Sequence, residues 1–222
     1  MVVPRKERHP NSLERISNCG SPRDLTLLVC PILSKAYFQD LVNYLGLDTK
    51  VAVEPINSNK SFELQVEEAV EISLNAKPHH RLFAILDFVP SVSDEKDQTK
   101  QILQAHKLVL KQDLPNNRIF RLLITTPGFP LWLLLHFKLV DFSAYPDVEW
   151  SELVAKELGP FSKDFLSKES HKDYFNLCYP YLETAIKNSQ KLQLLRTIKP
   201  GPSSEIHELM AYLLKLQRRY VL

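Results

Sequence analysis

The sequence predicts an α/β fold built on a four-stranded, mainly parallel sheet flanked by helices and followed by a helical C-terminal extension. Three observations carry that expectation. Short, continuous apolar runs recur along the first 140 residues, as strands buried on both faces require. Between them lie segments whose apolar residues repeat at helical spacing. The links are short, and strictly alternating strands and helices call for a parallel sheet covered by helices.

Leu25 to Cys30 (LTLLVC) is the first strand, with turn residues before it. Ser34 is a candidate cap for the helix carrying Tyr37, Phe38, Leu41, Val42 and Leu45, which Gly46 stops. Val51 to Val53 is a second strand ended by Pro55, and the EEAVE stretch forms a helix for which Ser61 is a plausible cap. Arg81 to Asp87 (RLFAILD) is a third strand ending on an acid, and Lys96 to Lys111 the next helix. Ile119 to Thr125 is the fourth strand, and Leu131 to Phe137 the fourth helix. Beyond Phe142 the chain reads as helices over Trp150 to Leu158, Tyr174 to Leu195 with Pro180 inside it, and Glu205 to Leu222. Ser203 or Ser204 would cap the last of these. Three parts follow: a basic arm over residues 1–24, an α/β domain over 25–140, and a helical region over 141–222 packed on it.

The 222 residues carry a net charge of +2, with 44% hydrophobic and 24% charged side chains, the balance of an ordinary globular protein. That charge excludes a uniformly basic nucleic-acid binder, so any basic surface must be local. Arg5, Lys6, Arg8 and Arg15 form one local cluster, read either as a solvated tail or as an arm touching phosphates. Lys215, Arg218 and Arg219 form another near the C-terminus, read as a solvated helix end or as phosphate contacts. Cys19, Cys30 and Cys178 show no metal spacing, and their use points to a reducing cytoplasm. The apolar run Leu131 to Leu135 is far too short to span a bilayer, so no membrane association is expected.

Ligands of parallel α/β sheets bind outside the carboxyl ends of the strands. Here that edge carries Cys30-Pro31, Glu54, Asp87 and Thr125-Thr126. Next to it stands the most distinctive segment of the chain, TTPGFPLWLLLHF over Thr125 to Phe137. This segment resembles the SNPCFELWLLLHF element of RloB-like proteins, and LTLLVC, RLFAILD, AIKNSQKL and PSSEIHELM resemble further parts of that family in order. The resemblance implies a Toprim fold and a place in bacterial restriction and abortive-infection loci, usually beside an ATPase.

Toprim catalysis needs a Glu after the first strand and an Asp-x-Asp pair after the third to hold Mg²⁺. In this chain the first position is Pro31, the pair is reduced to Asp87 with Val89, and the acid of the Phe-Glu-Leu-Trp element is Pro130. The leading expectation is therefore a catalytically degenerate binding or regulatory subunit of anti-phage defence, partnered by an ATPase or nuclease and needing no cofactor. An active Mg²⁺-dependent nuclease is the alternative. It would use Asp87 and Glu54 as ligands, Asp94 or Asp97 as further acids, and Asp87 with His136 in catalysis. A third reading is a nucleic-acid-binding module that uses Arg5, Lys6, Arg8 and Arg15. His136 itself is either a core histidine donating to a backbone carbonyl or a group facing the active edge.

Overall fold

In the computed structural model the described residues are 25–57, 60–76, 78–89, 95–112, 118–144, 149–159, 174–196 and 201–220. The apolar run Thr26–Pro31 forms β1, buried at every position, as expected for a strand sandwiched between helix layers. The chain turns directly from it into α1, Ile32–Tyr44. Pro31 takes the N-cap position, so Ser34 is not the cap. It lies buried inside the helix, its hydroxyl donating to the Pro31 carbonyl at 2.9 Å. Gly46, at φ +66°, supplies the left-handed residue that lets the chain leave the helix.

β2 (Val51–Ile56) leads to α2 (Phe62–Asn75), whose first turn is capped by Ser61 accepting from the Leu64 N–H at 3.4 Å. At the other end of α2, the buried Arg118 donates to the Ser73 and Leu74 carbonyls at 3.2 and 3.1 Å, a cation closing a helix C-terminus. β3 (Arg81–Asp87), α3 (Glu95–Leu110), β4 (Ile119–Thr126) and α4 (Phe129–Phe137) complete the alternation. Then follow α5 (Trp150–Leu158), α6 (Tyr174–Cys178), α7 (Leu182–Arg196) and α8 (Ile206–Tyr220). The single helix expected over Tyr174 to Leu195 is divided by a 3₁₀ turn at Tyr179–Tyr181. Pro180 sits in that turn, because its ring and missing N–H do not suit a helix interior.

The sheet order is β2-β1-β3-β4-β5, with β1 to β4 parallel. The fifth strand is an addition to the four expected. β5 (Ser203–Ser204) is two residues long and runs antiparallel to Thr125 and Thr126. Just beyond it, Glu205 extends the pairing: its N–H donates to the Ile124 carbonyl at 3.2 Å and its carboxylate accepts the Ile124 N–H at 2.8 Å.

Side chains alternate across the strands. One face puts Leu27, Val29, Leu82, Ala84, Leu86, Leu122 and Ile124 against α2 and α3. The other puts Leu28, Cys30, Phe83, Ile85 and Leu123 in one core with α1, α4 and the C-terminal helices. In the middle of that second core is α4. Leu131, Trp132, Leu134 and Leu135 are fully enclosed, which explains why the segment is apolar all round. Each such Leu contributes roughly 1.5–3 kcal/mol by burial, and the rigid frame they make fixes the groups at the helix start.

Candidate functional site

The residues at the carboxyl end of the sheet are held by two turns. Asp87 closes β3, in register with Thr125 of β4. After Thr126 the chain passes through Pro127 to Gly128, which stands at φ +117° and begins α4 with no side-chain cap of its own. Asp87 fills that vacancy from outside the helix, since its carboxylate accepts the Phe129 N–H at the positive end of α4. A Cβ added to Gly128 would meet the Asp87 Cγ at an ordinary 3.4 Å, so it is the φ of +117° that calls for glycine here.

Burial pushes the Asp87 carboxyl up to about 6, and the Phe129 hydrogen bond offsets part of that rise. Its Oδ1 is buried without a hydrogen-bond partner among the described residues. Asp87 also lies close enough to Cys30 to help raise that thiol, which burial mainly pushes up to about 12. Asp87 as a whole is half-buried, with Oδ1 fully covered and the carboxylate committed to a helix terminus.

His136 sits seven residues along α4 from Phe129 and is completely buried. Its Nδ1 lies 2.9 Å from the Trp132 carbonyl, which can only accept, so Nδ1 carries the proton. Nε2 then accepts from the Tyr37 hydroxyl at 3.1 Å. Burial lowers the imidazole to about 4, with the Trp132 and Leu133 backbone contacts opposing the fall. This is a neutral histidine linking α4 to α1 through Tyr37, whose own hydroxyl is pushed far up by burial.

The model of the RloB-like protein family matches residues 34–213. The chain belongs to the RloB-like family. No curated protein and no solved structure matches it.

Strand parity decides how the acids of this RloB-like chain relate to one another. Glu54 pairs with Val29, which pairs with Ala84, and that row faces α2 and α3. Asp87, three residues beyond Ala84, faces the opposite side with Ile85 and α4. Glu54 is exposed, and its charge acts on His79, at the other end of β3 from Asp87. The two carboxylates thus cannot meet at one ion. Val89 holds the position two beyond Asp87, with 59% of its surface exposed. Asp94 lies outside the described residues, as do the side chains of Glu95 and Asp97.

Mg²⁺ takes oxygen ligands in near-octahedral geometry and gives up its waters reluctantly. A single half-buried carboxylate that already caps a helix does not fit it. Among the described residues no three His, Cys, Asp or Glu side chains are grouped to hold a metal. Arg5, Lys6, Arg8 and Arg15 lie outside the described residues. No helix among those residues is long and apolar enough to cross a membrane.

A polar cluster that sequence reasoning did not assemble ties the C-terminal elements to this edge. Ser189 of α7 donates to the Ser204 carbonyl at 2.6 Å, so its oxygen accepts from His207 Nδ1 at 2.9 Å. His207 Nδ1 also lies 3.2 Å from the Ser204 carbonyl. With the serine proton spent on a carbonyl and the histidine donating, the pair has the wrong polarity for nucleophile activation. It works as a fastener: Ser204 Oγ is 3.2 Å from Thr125 Oγ1, and Arg196 donates to Ser203 Oγ at 2.7 Å. Asn188 adds a bond to the Leu135 carbonyl at 2.9 Å, joining α7 to the end of α4. The serines at 189, 203 and 204 gave no separate signal, because a lone serine reads as a cap or a turn.

Proposed function

We propose that this RloB-like protein is a catalytically degenerate, Toprim-like subunit that binds or regulates a partner ATPase or nuclease in prokaryotic anti-phage defence. The defence setting is an inference from the family. The loss of metal-dependent chemistry is supported chiefly by one observation: the half-buried Asp87 carboxylate is used to cap α4, with Glu54 on the far face of the sheet. The rigid frame of α4 and its enclosed histidine point the same way, since a proton-transfer group must reach a substrate and His136 is bonded at both ring nitrogens.

The test is a calorimetric titration of Mg²⁺ and Mn²⁺ into the full chain and into Asp87→Asn, followed by cleavage assays on tRNA and DNA. The reading expects no saturable heat and no cleavage in either protein. It further expects the tagged chain to co-elute with a defence-locus ATPase when the two are co-expressed. Saturable Mg²⁺ binding that disappears in Asp87→Asn, accompanied by cleavage, would overturn it in favour of an active nuclease.

A further inference from the structure

The opposite end of the sheet carries a feature unrelated to Asp87. α8 crosses the sheet from the end of β4 to the start of β2, and its last turns bring cations next to those that begin the strands. Lys50, just before β2, holds its ammonium 4.9 Å from the centre of the Tyr220 ring. Arg219 lies over the same ring at 5.5 Å. Two strands over, the Arg81 guanidinium stands 5.4 Å from the ring of Tyr212, whose hydroxyl is fixed to Thr26 Oγ1 at 2.6 Å. Lys215 and Arg218 stand exposed on the same stretch of helix. Among the described residues Lys50, Arg81, Lys215 and Arg218 make no ion pair.

Two features make this more than a solvated helix end. The cations form a strip: β2 and β3 flank β1, so Lys50 and Arg81 start strands about 10 Å apart, and Lys215 to Arg219 add about 6 Å along the helix axis. Several are also held over tyrosine rings, which reduces the freedom lost when they meet an anion. A row of cations in which Lys50, Arg81, Lys215 and Arg218 make no ion pair among the described residues, on a chain of net charge only +2, suits a regularly charged polymer better than a single carboxylate. A lipid surface would call for large apolar side chains beside the cations. On α8 the exposed positions are Ala211, Lys215, Arg218 and Arg219.

We infer that the amino edge of the sheet and the last two turns of α8 form a surface for the phosphate backbone of a nucleic acid, with Tyr220 and Tyr212 ordering the cations that contact it. The inference is independent of the reading given to Asp87, which lies at the other end of the strands.

The experiment is fluorescence anisotropy with an end-labelled single-stranded RNA and its DNA counterpart, titrated at rising salt. Three full-length variants are compared with the wild type. They are Lys215→Glu with Arg218→Glu, the conservative Lys215→Arg with Arg218→Lys, and one with Arg5, Lys6, Arg8 and Arg15 changed to Ala. The inference expects wild-type binding that falls with salt. The reversal variant should lose roughly tenfold in affinity and about 1.4 in the slope of log affinity against log salt, for two lost contacts. The conservative variant should bind as the wild type does. Three results would overturn it: no wild-type binding, equal binding by the reversal variant, or a loss confined to the N-terminal variant. Binding of phosphatidylserine vesicles without binding of either oligonucleotide would also overturn it, assigning the strip to a membrane.

Discussion

Replacing Asp87 by Asn removes a charge while keeping the carbonyl oxygen that accepts the Phe129 N–H, so it isolates the cost of enclosing a carboxylate at this point. The folded chain raises that carboxyl from an ordinary 3.8 to about 6, mainly through burial. The protonated form is therefore the one the fold favours. Its contribution is complete below pH 3.8 and lost as pH rises through about 6. At neutral pH the wild type carries a penalty of about 3 kcal/mol relative to the protonated state, since each pKa step is worth about 1.4 kcal/mol. His136 works in the opposite sense. Held neutral and lowered from 6.5 to about 4, it contributes stability above pH 6.5 and loses it as pH falls through about 4. The two partly cancel in the wild-type pH profile, so the difference between wild type and variant is the informative quantity. Urea unfolding of both proteins across the acid to neutral range measures it. The Asn variant should be more stable by up to about 3 kcal/mol at neutral pH, with the gap closing towards pH 4. A gap that does not vary with pH, or an Asn variant no more stable than wild type at neutral pH, would refute the reasoning.

Further outcomes follow from the same neighbourhood. Gly128→Ala places a Cβ 3.4 Å from the Asp87 Cγ at a φ of +117°. It should cost about 1–3 kcal/mol, seen as a fall of several degrees in melting temperature; an unchanged melting point would contradict the strain. Tyr37→Phe strips from His136 Nε2 the donor it has among the described residues, and the expected loss is about 1–3 kcal/mol in urea unfolding. A Phe variant as stable as wild type would mean that Nε2 is not accepting from Tyr37.

Elements with a continuous apolar run or a clear helical spacing were readable from the sequence to within a residue or two, except β2, which runs on through Pro55 to Ile56 where the sequence ended it at Val53. Arg81–Asp87 and Trp150–Leu158 lie where expected because nothing competes with their patterns. β5 was not readable: two serines carry no apolar signal, and they form a strand only because Thr125 and Thr126 offer an open edge 79 residues earlier. Ser34 was misplaced because Pro31 already ends the strand and starts the helix, leaving no room for a separate cap. At the candidate site the identity of the acids was plain, but their relation was not. Whether Glu54 and Asp87 share a side depends on inter-strand register, and a shift of one residue would reverse the answer. For His136 the sequence offered a buried or an active-edge role. The partner that completes its hydrogen bonding, Tyr37, lies 99 residues away and has no local cue.

The bond between Thr26 and Tyr212 spans 186 residues, joining the first strand to the last helix. On the ribosome this has a cost in time. The face of the sheet that displays Leu28, Phe83, Ile85 and Leu123 is synthesised well before Leu209, Leu213 and Leu216, which help to cover it. Until α8 emerges, that greasy face has to wait, shielded in part by α1, α4 and the helices α5 to α7. A premature stop that removes α8 alone would thus release a chain with one finished side and one sticky one, a natural client for chaperones and proteases. For this protein the last fifteen residues of helix act as the latch that ends its vulnerable period.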